Sequence, residues 1–186
     1  LFRNKGAGRF EEVGFPAGVA YPESGRPLSG MGVDARDVDD DGKPDLFVTA
    51  LSNETMPVYH NQGGMSFVEV TARSGVSALT LSRAGWSNGI ADFNNDGRED
   101  LFVAGGDVMH PDGEFREKVK QANLVMAQVA PLRFVDATPG AGAEFAGKRG
   151  VHRGGAFGDL DGDGRVDAVV TALDEPVELW RNVSPV

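Results

Sequence analysis

The chain has 186 residues, 40% of them hydrophobic and 25% charged, and a formal net charge of -10. This composition is typical of a folded globular protein, and the negative charge argues against a nucleic-acid partner, because phosphate binding requires basic patches. The lack of Cys excludes thiolate metal sites, catalytic thiols and disulfides. No apolar run approaches the roughly 18 residues that a membrane helix needs.

The first residues, LFRNKGAGRFEEV, carry neither an initiator Met nor a signal-peptide pattern, so we expect the chain to be the interior of a longer protein. The stretch at 1–19 recurs at 58–76 and more loosely at 124–142, and LWRN begins a further copy at 179. Self-similarity at this spacing indicates a repeat architecture. The predicted units are 1–57, 58–123 and 124–178, with 179–186 as the start of a next unit.

Two kinds of strand alternate along each unit. The segments RFEEV, FVEVT and RFVDAT alternate apolar and polar residues, as half-buried strands do, whereas DLFVTA, DLFVAG and DAVVTA are continuous apolar runs typical of strands covered on both faces. Clusters of Gly, Pro, Asn and Asp separate them. Each unit therefore supplies about four short antiparallel strands, and the chain is predicted to be all-β, with three β-propeller blades that form part of a larger ring.

The middle unit is longer than the other two, and the surplus lies at 105–123. Within it Phe115, Val119 and Ala122 fall near helical spacing, which leaves a short helix open. We expect a surface loop, because long insertions between strands usually take that form.

An acidic turn precedes each continuous apolar strand, with the pattern D-x-(D/N)-x-D-G-x-x-D. Side-chain oxygens at the first, third, fifth and ninth positions converge if the chain curls around a cation, with a backbone carbonyl at the seventh, and Gly at the sixth permits the reversal. The candidate ligands are Asp37, Asp39, Asp41, the Lys43 carbonyl and Asp45; Asp92, Asn94, Asp96, the Arg98 carbonyl and Asp100; and Asp159, Asp161, Asp163, the Arg165 carbonyl and Asp167.

Hard oxygen ligands in this number favour Ca²⁺, so we expect up to three bound ions. Mg²⁺ prefers smaller octahedral sites, and zinc prefers His or Cys. An EF-hand is excluded because the twelfth position is Val48, Val103 or Val170 where a bidentate Glu would be needed. The alternative is a set of Asp-rich and Asn-rich hairpins without metal. Asn94 replaces a carboxylate, which predicts weaker binding at the second turn.

The tandem turns, each followed by an apolar strand, with LFRNKGAGRFEEV between them, resemble the FG-GAP or VCBS repeats of integrin-α-like β-propellers. The order of four segments resembles more narrowly the repeat region of the cartilage acidic protein family, where an ASPIC and UnbV domain follows. These segments are GMG, GDV, RGGAFGDLDGDGRVDAVVTAL and LWRN. The resemblance implies a seven-bladed propeller with Ca²⁺ in hairpin loops on one face. It also implies a secreted, periplasmic or cell-surface location, with the remaining blades supplied by the parent chain or a partner.

Residues outside the turns offer few candidates for chemistry. His60 occupies a repeat position where the other units have Arg3 and Arg181, so we expect an exposed side chain without a chemical role. His152 precedes a glycine-rich strand that would lie near the central channel. Trp180 is expected to pack in the core, and Trp86 is a candidate for a channel or surface contact.

No catalytic or organic cofactor residues are predicted. The sequence therefore favours a non-catalytic calcium-binding module for protein or glycan interaction, adhesion or scaffolding. The alternative is a propeller enzyme, a hydrolase or lyase, with its active site in the central channel.

Overall fold

A computed structural model of the chain describes residues 1–108 and 119–185. In chain order its elements are β1 (Phe2–Asn4), β2 (Phe10–Glu12), β3 (Val33–Arg36), β4 (Asp45–Val48), β5 (Val58–Gly63), β6 (Ser66–Glu69), α1 (Val76–Thr80), β7 (Gly85–Ala91), β8 (Asp100–Gly105), β9 (Gln121–Ala122), β10 (Leu124–Ala130), β11 (Arg133–Asp136), a 3₁₀ turn (Thr138–Ala141), α2 (Ala143–Gly147), β12 (Arg149–Gly150), β13 (His152–Gly158), β14 (Asp167–Ala172) and β15 (Glu178–Trp180). The predicted all-β class is confirmed.

Two four-stranded antiparallel sheets form the centre of the molecule. The first has the order β3-β4-β5-β6 and the second β7-β8-β10-β11, so each strand pairs with the next one along the chain apart from the small strand β9. This meander of four short strands is the arrangement of a propeller blade. A third sheet, β13-β14-β15, repeats the first three strands of the pattern.

Each sheet crosses a boundary between the repeat units seen in the sequence. The inner two strands of a sheet end one unit, and the outer two begin the next, as β4 and β5 show on either side of residue 57. The bounds of the units themselves stay a prediction. Residues 109–118 of the expected insertion at 105–123 lie outside the described part of the chain, and its ends are joined by an antiparallel bridge from Gly106 to Lys120.

The continuous apolar strands are largely buried, as their sequences predict. Every residue of β8 is buried, because the strand lies between β7 and β10 and is covered on both faces. The alternating strands are more exposed than expected at the start of the chain, where all of β2 is exposed and Phe10 is 63% accessible. The reason is that β1 and β2 form a separate hairpin, without inner strands beside them among the described residues.

Adjacent sheets pack face to face through shared hydrophobic clusters. The largest cluster joins Phe47 and Val58 of the first sheet to Leu101, Met126 and Phe134 of the second. A second cluster joins Phe102 and Val125 of the second sheet to Val170 of the third.

Gly89 of β7 packs closely against Phe157 of β13, because an added Cβ would lie 2.4 Å from the Phe157 ring. None of the helices in the described ranges is long and apolar enough to span a membrane.

Candidate metal sites in three acidic turns

The three acidic turns occupy equivalent places in the three sheets. Each joins the two inner strands, at 37–44 between β3 and β4, at 92–99 between β7 and β8, and at 159–166 between β13 and β14. The glycine at the sixth position has a φ of +83°, +84° or +85°, a left-handed conformation that side chains rarely adopt. The predicted reversal is therefore present in all three turns.

The first aspartate of each turn organises the loop. Its two carboxylate oxygens accept hydrogen bonds from the backbone amides of the fifth and sixth residues, at distances between 2.7 and 3.1 Å. These amides belong to Asp41 and Gly42 for Asp37, to Asp96 and Gly97 for Asp92, and to Asp163 and Gly164 for Asp159. The loop is thus closed by the side chain of its own first residue.

The ninth aspartate of each turn is buried and joins the turn to the third strand of its sheet. Asp45, Asp100 and Asp167 are at most 2% exposed. In each, Oδ2 accepts the amide of the second turn residue at 3.0 to 3.2 Å, and Oδ1 accepts an amide from the third strand or the residues just beyond it at 2.8 Å. The third-strand amides are those of Asn61, Gln128 and Asn182. Sequence reasoning assigned these aspartates to metal binding alone and missed this bridge.

Asp39 has an unpartnered carboxylate oxygen inside the first turn. Its Oδ1 atom is buried and has no hydrogen-bond partner, and its side chain is 15% exposed. Burial raises the pKa of Asp39, and the neighbouring carboxylate of Asp45 raises it further. An unpartnered carboxylate oxygen beside other carboxylates is the arrangement that a divalent cation relieves. The residues of the first turn therefore fit a hard cation.

The carboxylate oxygens converge in two of the three turns. One oxygen from each of Asp37, Asp39 and Asp41 lies within 4.8 Å of the others, and the same holds for Asp159, Asp161 and Asp167. The second turn, which has Asn94 at its third position, shows no such group of three acidic or imidazole side chains among the described residues. The assignment of individual ligands stays a prediction.

Cationic side chains contact the fifth aspartate of each turn. Lys43 Nζ lies 2.5 Å from Asp41 Oδ2, and this hydrogen bond lowers the pKa of Asp41. Arg98 pairs with Asp96 at 3.2 Å, and Arg165 with Asp163 at 2.6 Å. The seventh residue was predicted to offer its carbonyl; the structure shows that its side chain also partly neutralises the turn.

His60 lies against the first turn, where the sequence suggested a surface position without a role. Its Nδ1 atom is 3.1 Å from Asp45 Oδ1 and 3.5 Å from Asp39 Oδ2, and the ring is 18% exposed. Arg181, at the equivalent position in the third sheet, contacts Asp161 at 2.5 Å and Asp163 at 3.2 Å. The sequence indicates this contact by the position of His60 directly before Asn61, whose amide donates to the ninth aspartate of the turn.

His152 is fully buried between the second and third sheets. Its Nδ1 atom lies 2.6 Å from the Gly105 carbonyl, and Nε2 lies 3.1 Å from Glu178 Oε1. These contacts join strands of different sheets and explain the burial of the ring.

The two tryptophans pack against neighbouring side chains. Trp86 lies under the Arg153 guanidinium at 4.0 Å and donates its indole N–H to the Gly106 carbonyl at 2.7 Å. Trp180 packs edge-on against Phe145 at 5.1 Å, as expected for a core aromatic.

Comparison with known proteins agrees with this geometry. No curated protein matches the chain. Residues 37–103, which run from the first acidic turn through the strand that follows the second, match the family model described as FG-GAP-like repeat, and this match supports the resemblance to the FG-GAP repeat family.

Proposed function

We propose that each of the three acidic turns binds one Ca²⁺ ion and that the chain is a non-catalytic module that binds protein or glycan partners. The observation that carries the proposal is the buried, unpartnered oxygen of Asp39, set among carboxylates that a shared backbone framework holds together. A bound Ca²⁺ would supply the positive charge that these oxygens lack. The ions would have a structural role, because each turn connects the two inner strands of its own sheet.

The framework of the turns supports a preorganised site. In the first turn, the first aspartate is already fixed by two amides, and the ninth is fixed by one amide from the turn and one from the third strand. The loop therefore loses little conformational entropy on binding, which favours affinity. A metal-free Asp-rich hairpin would share these backbone hydrogen bonds, but it would leave the third-position oxygen of the first turn without a partner.

The finer parts of the proposal rest on the resemblance to FG-GAP repeats. We propose that the chain is similar to the repeat region of the cartilage acidic protein family and belongs to a secreted, periplasmic or cell-surface protein with an adhesive or scaffolding role. The enzyme alternative, a hydrolase or lyase with its active site in the central channel, stays a prediction.

The proposal is tested by thermal unfolding with and without a chelator. At a Ca²⁺ concentration about 100 times the dissociation constant, each site stabilises the folded chain by about 2.7 kcal/mol, which corresponds to about 5 to 10 °C in Tm for a chain of this size. Chelation should therefore lower Tm, and Ca²⁺ in excess should restore it where Mg²⁺ at the same concentration does not. Unchanged unfolding in chelator would reject the proposal.

A matched pair of variants locates the effect in the first turn. Asp39→Asn and Asp40→Asn each remove one carboxylate, but Asp39 is mostly buried in the cluster whereas Asp40 is exposed. We expect the Ca²⁺-dependent part of the stability to shrink in Asp39→Asn and to persist in Asp40→Asn. Equal loss in both variants would show that net charge, and not a site, stabilises the protein.

A further inference from the structure

The acidic turns are joined to one another by hydrogen bonds that cross between sheets. In the first two turns, the backbone carbonyl of the second residue accepts a hydrogen bond from a side-chain amide of the next sheet. Gln128 Nε2 donates to the Val38 carbonyl at 2.9 Å, and Asn182 Nδ2 donates to the Phe93 carbonyl at 2.8 Å. Gln128 lies in the third strand of the second sheet, and Asn182 lies just beyond the third strand of the third sheet. Each bond therefore connects a turn to the sheet that follows it in the chain.

The same two amide residues also hold the turn of their own sheet. The backbone amide of Gln128 donates to Asp100 Oδ1, and that of Asn182 donates to Asp167 Oδ1, both at 2.8 Å. Their side chains donate in addition to the carbonyl of the eighth residue of that turn, at 3.0 and 3.1 Å. Each residue thus contacts its own turn at two points and the preceding turn at a third.

These bonds form one continuous path through the ninth aspartates of all three turns. The second residue of a turn continues the path, because its amide donates to Oδ2 of the ninth aspartate at 3.2 Å while its carbonyl accepts the amide from the next sheet. In order, the path runs through Asp45, Val38, Gln128, Asp100, Phe93, Asn182 and Asp167. Five of these seven residues are at most 3% exposed, so water competes little for their hydrogen bonds.

Asn61, at the equivalent position of the first sheet, holds its own turn in the same way. Its backbone amide donates to the ninth aspartate at 2.8 Å, its Nδ2 donates to the carbonyl of the eighth turn residue at 2.9 Å, and its Oδ1 accepts the amide two residues further on at 2.9 Å. Asn182 makes the same three contacts. In the ranges 1–108 and 119–185, however, the side chain of Asn61 donates only to the turn of its own sheet. The bond to a second turn is therefore an additional feature of Gln128 and Asn182.

We propose that Gln128 and Asn182 are positioning residues that couple the three Ca²⁺ sites, so that an ion in one turn raises the affinity of the neighbouring turn. The proposal rests on the proposed Ca²⁺ sites and adds that these sites are not independent. Neither residue is among the predicted ligands, and each acts through the ninth aspartate that its backbone amide holds.

The sign of the coupling follows from the order that binding imposes on the path. When a turn binds its ion, its ninth aspartate loses mobility, and the second turn residue bound to Oδ2 is fixed with it. The carbonyl of that residue then fixes the amide side chain from the next sheet, whose backbone amide holds the next ninth aspartate. The next turn therefore loses less conformational freedom when it binds in its turn, which raises its affinity.

Disabling the third turn tests the coupling at the second. Asp161→Asn removes a candidate ligand of the third turn that is exposed and lies outside the hydrogen-bonded path. Calorimetric titration of the whole chain with Ca²⁺ gives stepwise dissociation constants, and the last constant reports the second turn, because Asn94 weakens that site. We expect this last constant to rise at least about fivefold in Asp161→Asn, which is the lower end of typical coupling between sites.

A matched pair of variants locates this coupling. Asn182→Ala removes the bond to the Phe93 carbonyl together with the side-chain contact to its own turn, whereas Asn61→Ala removes only a contact of the second kind. In the Asn182→Ala chain, adding Asp161→Asn should leave the last dissociation constant unchanged. In the Asn61→Ala chain, the rise of at least about fivefold should persist. A purely structural role would change stability without abolishing the response to Asp161→Asn.

The link between the first and second turns gives an independent test. Asp39→Asn disables the first turn and should also raise the last dissociation constant at least about fivefold. Gln128→Leu is similar in volume and keeps the backbone bond to Asp100, but it cannot donate to the Val38 carbonyl. The response to Asp39→Asn should therefore disappear in the Gln128→Leu chain.

The outcomes keep this proposal separate from the proposed function. A folded chain that takes up no Ca²⁺ would reject the metal sites and the coupling with them. Three bound ions with a last dissociation constant that Asp161→Asn leaves unchanged, or lowers, would reject the coupling alone. A response to Asp161→Asn that persists in the Asn182→Ala chain would also overturn the proposal, because the coupling would then not pass through this side chain.

Discussion

Replacing Asp45 by Asn tests whether the ninth position of the turn has two roles. Asp45 is fully buried, and its carboxylate accepts the amides of Asn61 at 2.8 Å and Val38 at 3.2 Å. An Asn side chain has the same shape as Asp but only one acceptor oxygen. One of these buried amides therefore loses its partner and faces an NH₂ group. An unsatisfied buried donor costs about 1–3 kcal/mol.

A second effect works in the opposite direction. Asp45 raises the pKa of Asp39 by charge repulsion, so removing the negative charge relieves part of that repulsion in the metal-free protein. We therefore expect Asp45→Asn to lower the free energy of unfolding by about 1–2 kcal/mol in chelator, after this offset. In excess Ca²⁺ the difference from the parent chain should widen, because a ligand is lost as well.

Urea denaturation in chelator and in Ca²⁺ measures both effects. Asp40→Asn is the control, because Asp40 is exposed and its change should stay within about 0.5 kcal/mol under both conditions. If Asp45→Asn were as stable as the control in chelator, the bridge to the third strand would contribute nothing. If the difference failed to widen in Ca²⁺, Asp45 would not be a ligand.

Three further predictions follow from single residues. Asn94→Asp should tighten Ca²⁺ binding at the second turn, measured by calorimetry, and unchanged affinity would refute the role of the third position. Burial raises the pKa of Asp100 to about 6, so in chelator the folded state should lose up to about 3 kcal/mol as pH rises from about 4 through 6, and Asp100→Asn should remove that slope in urea titrations. Gly89→Ala should lower stability by about 1–3 kcal/mol, because its Cβ would meet the Phe157 ring at 2.4 Å, whereas Gly158→Ala, with open space around it, should not; similar Tm values for both would contradict the packing.

The local features of the fold follow from the sequence. The buried run DLFVAG predicts β8 as a covered strand, and the glycine at the sixth position predicts the reversal of each turn, because both depend on the residues themselves. The repeated spacing of Phe10, Phe67 and Phe134 gives the number of blade-like units. The strand and the turn depend on a short stretch of residues, and the repeat depends on comparing such stretches along the chain.

The contacts that cross between strands and sheets could not be derived in this way. The bridge from Asp45 to Asn61 depends on the register of β4 against β5, and the contact of His60 with Asp39 depends on the same register. The position of Trp86 under Arg153 depends on how two sheets pack. Such contacts join distant parts of the chain, and one-dimensional spacing does not fix them.

The number of Ca²⁺ ions bound per chain tests the account most directly. Equilibrium dialysis against Ca²⁺ in the presence of excess Mg²⁺, with metal and protein quantified in the same sample, gives this number. We expect three ions per chain, with the second turn filling last, and a loss of one ion when Asp39 is replaced by Asn. A chain that binds no Ca²⁺ while remaining folded would show that the acidic turns are closed by their backbone hydrogen bonds alone.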